Sequence, residues 1–173
     1  MAAPYLIVIG GSAGGLQPVL TLLPELSADL NAAIIIVLHR QNHNSSLLPE
    51  LLAAKTTWTV KEAAEKEPLE RGTIYIAPAD YHLLIETDHT LSLDDSEKVN
   101  FSRPSIDVTF STAAIAYKQH MMAILLSGAN ADGVDGLMEV YDAGGKTAVQ
   151  DPATAEVDYM PKQALEQVKS AHL

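Results

Sequence analysis

Short apolar runs alternate with amphipathic segments along the whole chain. A continuous apolar run of strand length predicts a strand that is buried on both faces, as in parallel sheets. Runs and shorter β-favouring stretches of this kind occupy residues 5–9, 33–38, 58–60, 73–76, 122–127 and 146–150. We therefore predict that these residues form the strands of one mostly parallel sheet.

Segments with a helical spacing of apolar residues lie between several of these runs. We predict helices over residues 16–26, 46–55, 104–118 and 136–143, and a last helix that begins near Pro161. In the first helix we expect Leu20, Leu22 and Leu23 to face the core. Ser102 is the predicted N-cap of the third helix, because serine is a preferred capping residue.

The order of these elements predicts the fold class. Strands that alternate with helices form doubly wound sheets with right-handed crossovers. Residues 83–86 and 90–93 flank a polar turn, which predicts an antiparallel hairpin. We therefore expect an α/β fold with a Rossmann-like, mostly parallel sheet and a hairpin, and residues 1–173 are long enough for a single domain.

Composition narrows the classes of function. The net charge of −11 leaves no basic footprint for binding nucleic acid. The absence of cysteine excludes disulfides, thiolate nucleophiles and cysteine-ligated zinc. The N-terminal residues have no basic leader, and their apolar run is too short for a signal peptide or a membrane span. We expect a cytoplasmic protein with no membrane insertion.

Three side chains with complementary chemistry follow three of the predicted strands. They are Ser12, His39 and Asp132. Because the carboxyl ends of parallel strands meet at one edge of the sheet, we expect these side chains to converge. A serine nucleophile needs a nearby base, and an acid then orients the imidazole. The sequence thus predicts a catalytic triad, with Asp135 as a competing but less favoured acid.

The glycine-rich loop around the serine supports this prediction. Gly10, Ser12 and Gly14 match G-x-S-x-G, a strand-turn-helix pattern that exposes a nucleophilic serine. We expect the serine to lie at the N-terminus of the following helix, where free N–H groups favour an oxyanion. A dinucleotide-binding loop would instead need glycine at Ser12 and an acidic residue at His39.

A metal site is the other alternative. His39 and His43 have the i, i+4 spacing of paired ligands on a helix, but no glutamate follows the first histidine, as it does in the zinc-protease motif. His82, His89, His120 and His172 are expected to be surface or packing residues. We expect neither a metal nor a cofactor.

Several longer motifs resemble a known family. They are IGGSAGG at 9–15, VLHR at 37–40, YIAPADYHLL at 75–84, SRPSIDVTF at 102–110, LLSGANADGVDGL at 125–137, AGGKTAVQDPATAEV at 143–157 and MPKQAL at 160–165. In this order they resemble the catalytic domain of bacterial chemotaxis protein-glutamate methylesterases (CheB type). The resemblance implies hydrolysis of γ-glutamyl methyl esters on the cytoplasmic helices of methylated chemoreceptors, with release of methanol. Some members also deamidate glutamine.

The resemblance also implies roles for individual residues. The nucleophile, base and acid fall on Ser12, His39 and Asp132, and Arg103 lies near the cleft, where it either steers an acidic substrate or simply faces solvent. Residues 150–160 are expected to form a rim loop, with Met160 in the cleft or in the core. The family pattern has a hydroxyl residue at Ala13 and methionine at Ala129. The candidate oxyanion donors are the N–H groups of Ala13, Gly14, Ala129 and Asn130.

Regulation is the point on which this chain departs most from typical members. These carry an N-terminal receiver domain that covers the catalytic cleft, whereas this sequence begins at the first catalytic-domain strand. We expect either a stand-alone catalytic domain with a receiver-type regulator or a sequence from which the receiver segment is missing. A non-catalytic signalling module and an esterase for a protein outside chemotaxis are the functional alternatives.

Overall fold

A central parallel sheet organises the protein. The structure, a computed structural model, describes residues 3–40 and 47–172. The sheet strands are β1 (Tyr5–Gly11), β2 (Ala32–Leu38), β3 (Thr59–Glu62), β4 (Thr73–Ile76), β7 (Met121–Leu125), β8 (Lys146–Val149) and β9 (Ala171–His172), and the chain also forms a separate antiparallel hairpin of β5 (His82–Ile85) and β6 (Leu91–Asp94). Within the described residues the sheet order is β3-β4-β2-β1-β7-β8-β9, and all pairs are parallel.

Helices cover both faces of this sheet. They are α1 (Leu16–Leu22), α2 (Leu48–Ala53), α3 (Ile106–Tyr117), α4 (Val134–Asp142) and α5 (Tyr159–Gln167). Helices α1 and α2 pack on one face, whereas α3, α4, α5 and the hairpin pack on the other. None of the helices in the described part of the chain has the length and apolar character needed to cross a membrane.

Alternation along the central strands divides the core into two layers. Val8 of β1 and Ile35 of β2 belong to the cluster under α3, whereas Ile9 and Ile36 belong to the cluster under α1. All four side chains have no exposed surface. Because both faces of these strands are buried, each strand has a continuous apolar run, as the sequence predicts. The predicted α/β fold with a doubly wound, mostly parallel sheet and a hairpin is confirmed.

The element boundaries differ from the prediction in a few places. Strand β1 extends through Gly11, and the first helix gives way at Leu23 to a 3₁₀ turn that contains Pro24. Within that first segment Leu23 and Val19 are buried, whereas Leu20 and Leu22, which were expected to face the core, are only half-buried. Strand β9 was not predicted. The predicted start of the second helix at residue 46 lies outside the described residues.

The predicted N-cap of α3 is wrong. Helix α3 begins at Ile106, and its N-cap residue is Ser105, whose side chain makes no capping bond. The N–H groups of Ile106 and Asp107 instead donate to the carboxylate of Asp132. The first N–H groups of a helix need an acceptor from outside the helix, and here a residue far along the chain supplies it.

Candidate active site

Strand register brings the ends of three neighbouring strands together. Strand β1 lies between β2 and β7, and Gly11 at its end is paired with Leu38 at the end of β2. The N–H of His39 donates to the Gly11 carbonyl at 3.1 Å, and the N–H of Ser12 donates to the Ser127 carbonyl at 2.9 Å. The residues that follow these strands therefore lie at the same edge of the sheet.

The three predicted triad side chains form a continuous hydrogen-bonded chain. His39 Nδ1 lies 3.0 Å from Ser12 Oγ, and His39 Nε2 lies 2.7 Å from Asp132 Oδ2. Because an ionised carboxylate only accepts hydrogen bonds, Nε2 is the protonated ring nitrogen and donates a hydrogen bond to Asp132. In the neutral ring, Nδ1 then presents its lone pair to the serine hydroxyl. The two ring nitrogens have the opposite roles in chymotrypsin-type triads, but the chemistry is the same.

Asp132 is fully buried and strongly hydrogen-bonded. Within the described residues its carboxylate accepts from five donors: His39 Nε2, Asn100 Nδ2, Ser105 Oγ and the N–H groups of Ile106 and Asp107. Burial on its own raises the pKa of Asp132, but the hydrogen bonds outweigh burial, and the pKa is lowered from its ordinary value. The acid therefore remains ionised beside His39. Its competitor Asp135 is exposed in the first turn of α4.

Asn100 and Ser105 are site residues that the sequence analysis missed. The Asn100 amide donates to Asp132 Oδ1 at 2.9 Å and to Asp107 Oδ2 at 2.7 Å, so it bridges two carboxylates. Ser105 Oγ donates to Asp132 Oδ1 at 2.7 Å, and its N–H donates to His82 Nδ1. A serine before a predicted helix was a usable signal for the N-cap, but the cap was assigned to Ser102 instead of Ser105. Nothing in the sequence pattern singles out Asn100.

The pKa of Asp107 is raised, whereas that of the neighbouring Asp132 is lowered. Burial raises the pKa of Asp107 to about 6, and the negative charges of Asp132 and Asp135 contribute to the increase. Hydrogen bonds from the Gly136 N–H and from Asn100 act in the opposite direction. A carboxyl group that changes charge near neutral pH therefore lies next to the predicted triad acid.

We predict that Asp107→Asn weakens the pH dependence of stability between about pH 4 and pH 7. In the wild type the folded state keeps a proton that the unfolded state has lost above its ordinary pKa of 3.8, so the free energy of unfolding falls as the pH rises to about 6. The loss is at most about 3 kcal/mol, and partial exposure reduces it to about 1–2 kcal/mol. Urea unfolding of both proteins at the two ends of this range measures the difference. The same change with pH in both proteins would contradict the prediction.

The loop around Ser12 is packed too closely for larger residues. Gly14 has φ +76°, and a Cβ there would lie 2.7 Å from both Ser127 Oγ and Glu156 Cβ. A Cβ on Gly128 would lie 2.5 Å from Met160 Cε and 3.1 Å from Ser12 Cβ.

The expectation that Ser12 lies at a helix N-terminus is wrong, because α1 begins only at Leu16.

The backbone N–H groups of the candidate oxyanion donors are not used by other groups in the described part of the protein. In the described ranges, the N–H groups of four residues have no hydrogen-bond acceptor: Ala13, Gly14, Ala129 and Asn130. The Gly128 N–H, in contrast, donates to the Val157 carbonyl. The side chain of Asn130 accepts from the Asp132 N–H at 2.9 Å and so shapes the loop that carries the acid. The rim-loop residue Met160 is buried and packs on Gly128.

Arg103 lies at the rim of a groove beside His39. The groove encloses about 530 Å³ and is lined by His39, Arg40, Asp80, Lys98, Phe101, Ser102 and Arg103. The Arg103 guanidinium donates to the carbonyls of Asp95 and Ser96 and forms an ion pair with Asp80 at 3.4 Å. These contacts fix the loop before α3, and a role of Arg103 toward substrate stays a prediction.

Two of the remaining histidines, His82 and His89, make contacts that explain their positions. His82 Nε2 donates to the Glu97 carbonyl at 2.8 Å, and His89 stacks on Tyr117, so both are packing residues. His120 is exposed, and nothing is described for the side chain of His172. His43 lies outside the described residues, and within them no group of three metal-binding side chains is present.

The chain is similar to known proteins over nearly its whole length. The family model of the CheB methylesterase matches residues 7–173. A relative from Leptospira interrogans is 45% identical over 160 residues, which make up 92% of this chain and 83% of the relative. A protein from Symbiobacterium thermophilum, named protein-glutamate methylesterase/protein-glutamine glutaminase, is 32% identical over 93% of this chain but only 44% of its own length.

A solved structure has the same fold. The crystal structure of the Thermotoga maritima CheB methylesterase catalytic domain superposes with a TM-score of 0.94 and 33% sequence identity, over 99% of this chain and 92% of that chain. The family model and these similarities cover almost the whole sequence. The chain therefore belongs to the CheB methylesterase family, as its motifs predict.

Proposed function

We propose that the protein hydrolyses γ-glutamyl methyl esters on the cytoplasmic signalling helices of chemoreceptors and releases methanol. In this proposal Ser12 is the nucleophile, His39 the general base and Asp132 the acid that orients His39. The observation that carries the proposal is the chain of two hydrogen bonds, 3.0 Å and 2.7 Å long, that links these residues. The names of the relatives supply the substrate class.

The first step forms an ester between the enzyme and the glutamyl group. His39 Nδ1 takes the proton of Ser12 while Oγ attacks the carbonyl carbon of the methyl ester. The imidazolium that forms is stabilised by the ionised Asp132. His39 then returns the proton to the methoxy oxygen, the carbon–oxygen bond breaks and methanol leaves.

The second step regenerates the enzyme. A water molecule donates a proton to His39 Nδ1 and attacks the acyl carbonyl, and Ser12 leaves with that proton. In both steps the carbonyl oxygen becomes negatively charged. The N–H groups of Ala13 and Gly14 on one loop, and of Ala129 and Asn130 on the other, have no acceptor among the described residues and are our proposed donors to this oxygen.

Glutamine deamidation is the second candidate activity. Relatives from Symbiobacterium thermophilum and Thermotoga maritima are named as glutaminases as well as methylesterases. The same acyl-enzyme follows if ammonia leaves in place of methanol, because the imidazolium of His39 protonates the leaving nitrogen. The amide is the harder substrate, so we expect slower turnover than with the ester.

We also propose that residues 1–173 form one cytoplasmic catalytic domain. Strands from the two ends of the chain meet in one sheet, since β8 and β9 follow β7, which pairs with β1. Parts of the proposed site come from the first 40 residues and from residues 100–132. This supports a single folding unit rather than two.

The test is methanol release from a methyl-esterified receptor signalling fragment. We expect release by the wild type and by His120→Ala, which removes an exposed histidine in the 3₁₀ turn that follows α3. His39→Ala, which removes the proposed base, is expected to lose nearly all of it. No release from the folded wild-type protein would contradict the proposal and would favour a non-catalytic signalling module or an esterase with a different substrate.

A further inference from the structure

Phe101 is an almost fully exposed aromatic side chain at the edge of the candidate active site. It is 96% exposed, more than any other large hydrophobic residue in the described ranges. Single exposed apolar residues are common and need no explanation by themselves. Phe101, however, lines the groove that contains His39, and Val99 beside it is also exposed.

The backbone holds Phe101 in an unusual conformation. Asn100 has φ +53° and Phe101 has φ +63°, both in the left-handed region. The turn is closed by reciprocal hydrogen bonds between Val99 and Ser102, at 3.0 Å and 2.9 Å. Left-handed conformations are unfavourable for a bulky residue such as phenylalanine and concentrate at functional sites.

This turn is attached to the proposed triad acid. The Asn100 side chain donates to Asp132 and to Asp107, at 2.9 Å and 2.7 Å. The backbone of Phe101 is therefore held at a fixed position relative to His39, since Asp132 also binds His39. A turn whose backbone is already held in place loses little conformational entropy when it binds a partner.

The charge around the turn differs from that of the rest of the chain. The protein carries 22 acidic and 11 basic residues, yet among the described residues three basic ones and a single acid, Asp80, line this one groove: Arg40, Lys98 and Arg103 are the basic ones. Arg40 is paired with Glu62 and Arg103 with Asp80, so the excess positive charge at the groove is that of Lys98. A second groove, on the other side of the Ser12 loop, is lined by Glu25 and Glu156 together with Gly14. An acidic polypeptide is attracted to the first groove and repelled by the second.

We propose that the turn formed by residues 99–102 is the docking element for the substrate, and that Phe101 packs between apolar side chains of the acidic helix that carries the methyl ester. The inference rests on the proposed function and adds the surface that selects the substrate. Docking at this turn places the ester next to His39. The basic side chains of the groove then lie beside neighbouring glutamates of the substrate helix.

The experiment compares a large and a small substrate. Phe101→Ala is expected to raise KM for the methylated receptor fragment by about ten- to a hundredfold, the effect of losing one buried aromatic contact. Its kcat/KM for a small ester, the γ-methyl ester of an N-acetylated glutamate amide, is expected to match that of the wild type. Phe101→Leu keeps an apolar side chain and is expected to recover part of the loss.

Ile115→Ala is the matched control, because Ile115 is an exposed apolar residue, 65% accessible, on α3. It is expected to leave both substrates unaffected. Unchanged kinetics of Phe101→Ala on the fragment would overturn the docking proposal while leaving the esterase intact. A parallel loss on both substrates would also overturn it, since this would show a structural role. A wild type that hydrolyses neither ester would instead refute the proposed function and the docking proposal with it.

Discussion

Replacing Ser12 with alanine is expected to lower kcat for methyl ester hydrolysis by about 10⁴-fold or more. The change removes the only hydroxyl within hydrogen-bond reach of His39 Nδ1 in the described part of the chain. Without it no acyl-enzyme forms, and water has to attack the ester directly. What remains is the contribution of binding and of the oxyanion donors.

Methanol release at saturating receptor fragment measures this effect. Ser27→Ala is the matched control, because Ser27 is exposed and its Oγ only accepts from a nearby backbone N–H in a surface turn. Binding of the fragment is expected to change little in Ser12→Ala, since the hydroxyl contributes to the reaction rather than to docking. A variant that keeps a tenth or more of the wild-type kcat would refute the role of Ser12 as nucleophile.

Asp132→Asn is expected to impair both activity and stability. An amide at this position leaves His39 without a carboxylate and favours the wrong tautomer, which costs about 10⁴-fold in kcat in other serine hydrolases. In the wild type Oδ1 accepts from three donors and Oδ2 from two among the described residues, so the NH₂ group of asparagine faces at least two of these donors in either orientation. Each buried donor left without an acceptor costs about 1–3 kcal/mol.

The stability effect has a defined pH dependence. The pKa of Asp132 is lowered in the folded state, so its contribution to stability is present above its ordinary pKa of 3.8 and is lost as the pH falls through the folded value. We therefore expect the variant to be less stable than the wild type by about 2 kcal/mol or more at neutral pH, with the difference shrinking in strong acid.

Urea unfolding and methanol release together test this prediction. Asp135→Asn is the matched control, because Asp135 is the exposed acid three residues further along the same segment. It is expected to behave like the wild type in both measurements. Wild-type turnover by Asp132→Asn, or a loss of activity in Asp135→Asn instead, would show that Asp132 is not the acid of the triad.

The central strands were predictable because their local and tertiary signals agree. Strands β2 and β4 lie inside the sheet and are buried on both faces, so their sequences are continuous apolar runs with clear ends. The rule that parallel strands end at one edge was then enough to place Ser12 and His39 next to each other. His39 directly follows β2, whose end the sequence indicates, whereas Ser12 follows β1, which extends two residues beyond its predicted end.

The surroundings of Asp132 were not predictable, because they depend on contacts between distant segments. Its five donors come from residues that are 25 to 93 positions away in the sequence. The same carboxylate also takes the place of a local N-cap on α3, which is why Ser102 was the wrong choice. Asn100 reaches the acid only because its turn adopts left-handed backbone angles, and no periodic pattern encodes such a turn.

The most direct test of the proposed triad is covalent labelling of the folded protein with a fluorophosphonate, followed by peptide mapping. The reagent reacts with serines whose hydroxyl is activated by a neighbouring base. We predict a single adduct on Ser12 in the wild type, and labelling that is slower by at least about a hundredfold in His39→Ala. An adduct on another residue, or equal labelling rates in the two proteins, would contradict the assignment of Ser12 and His39 as nucleophile and base.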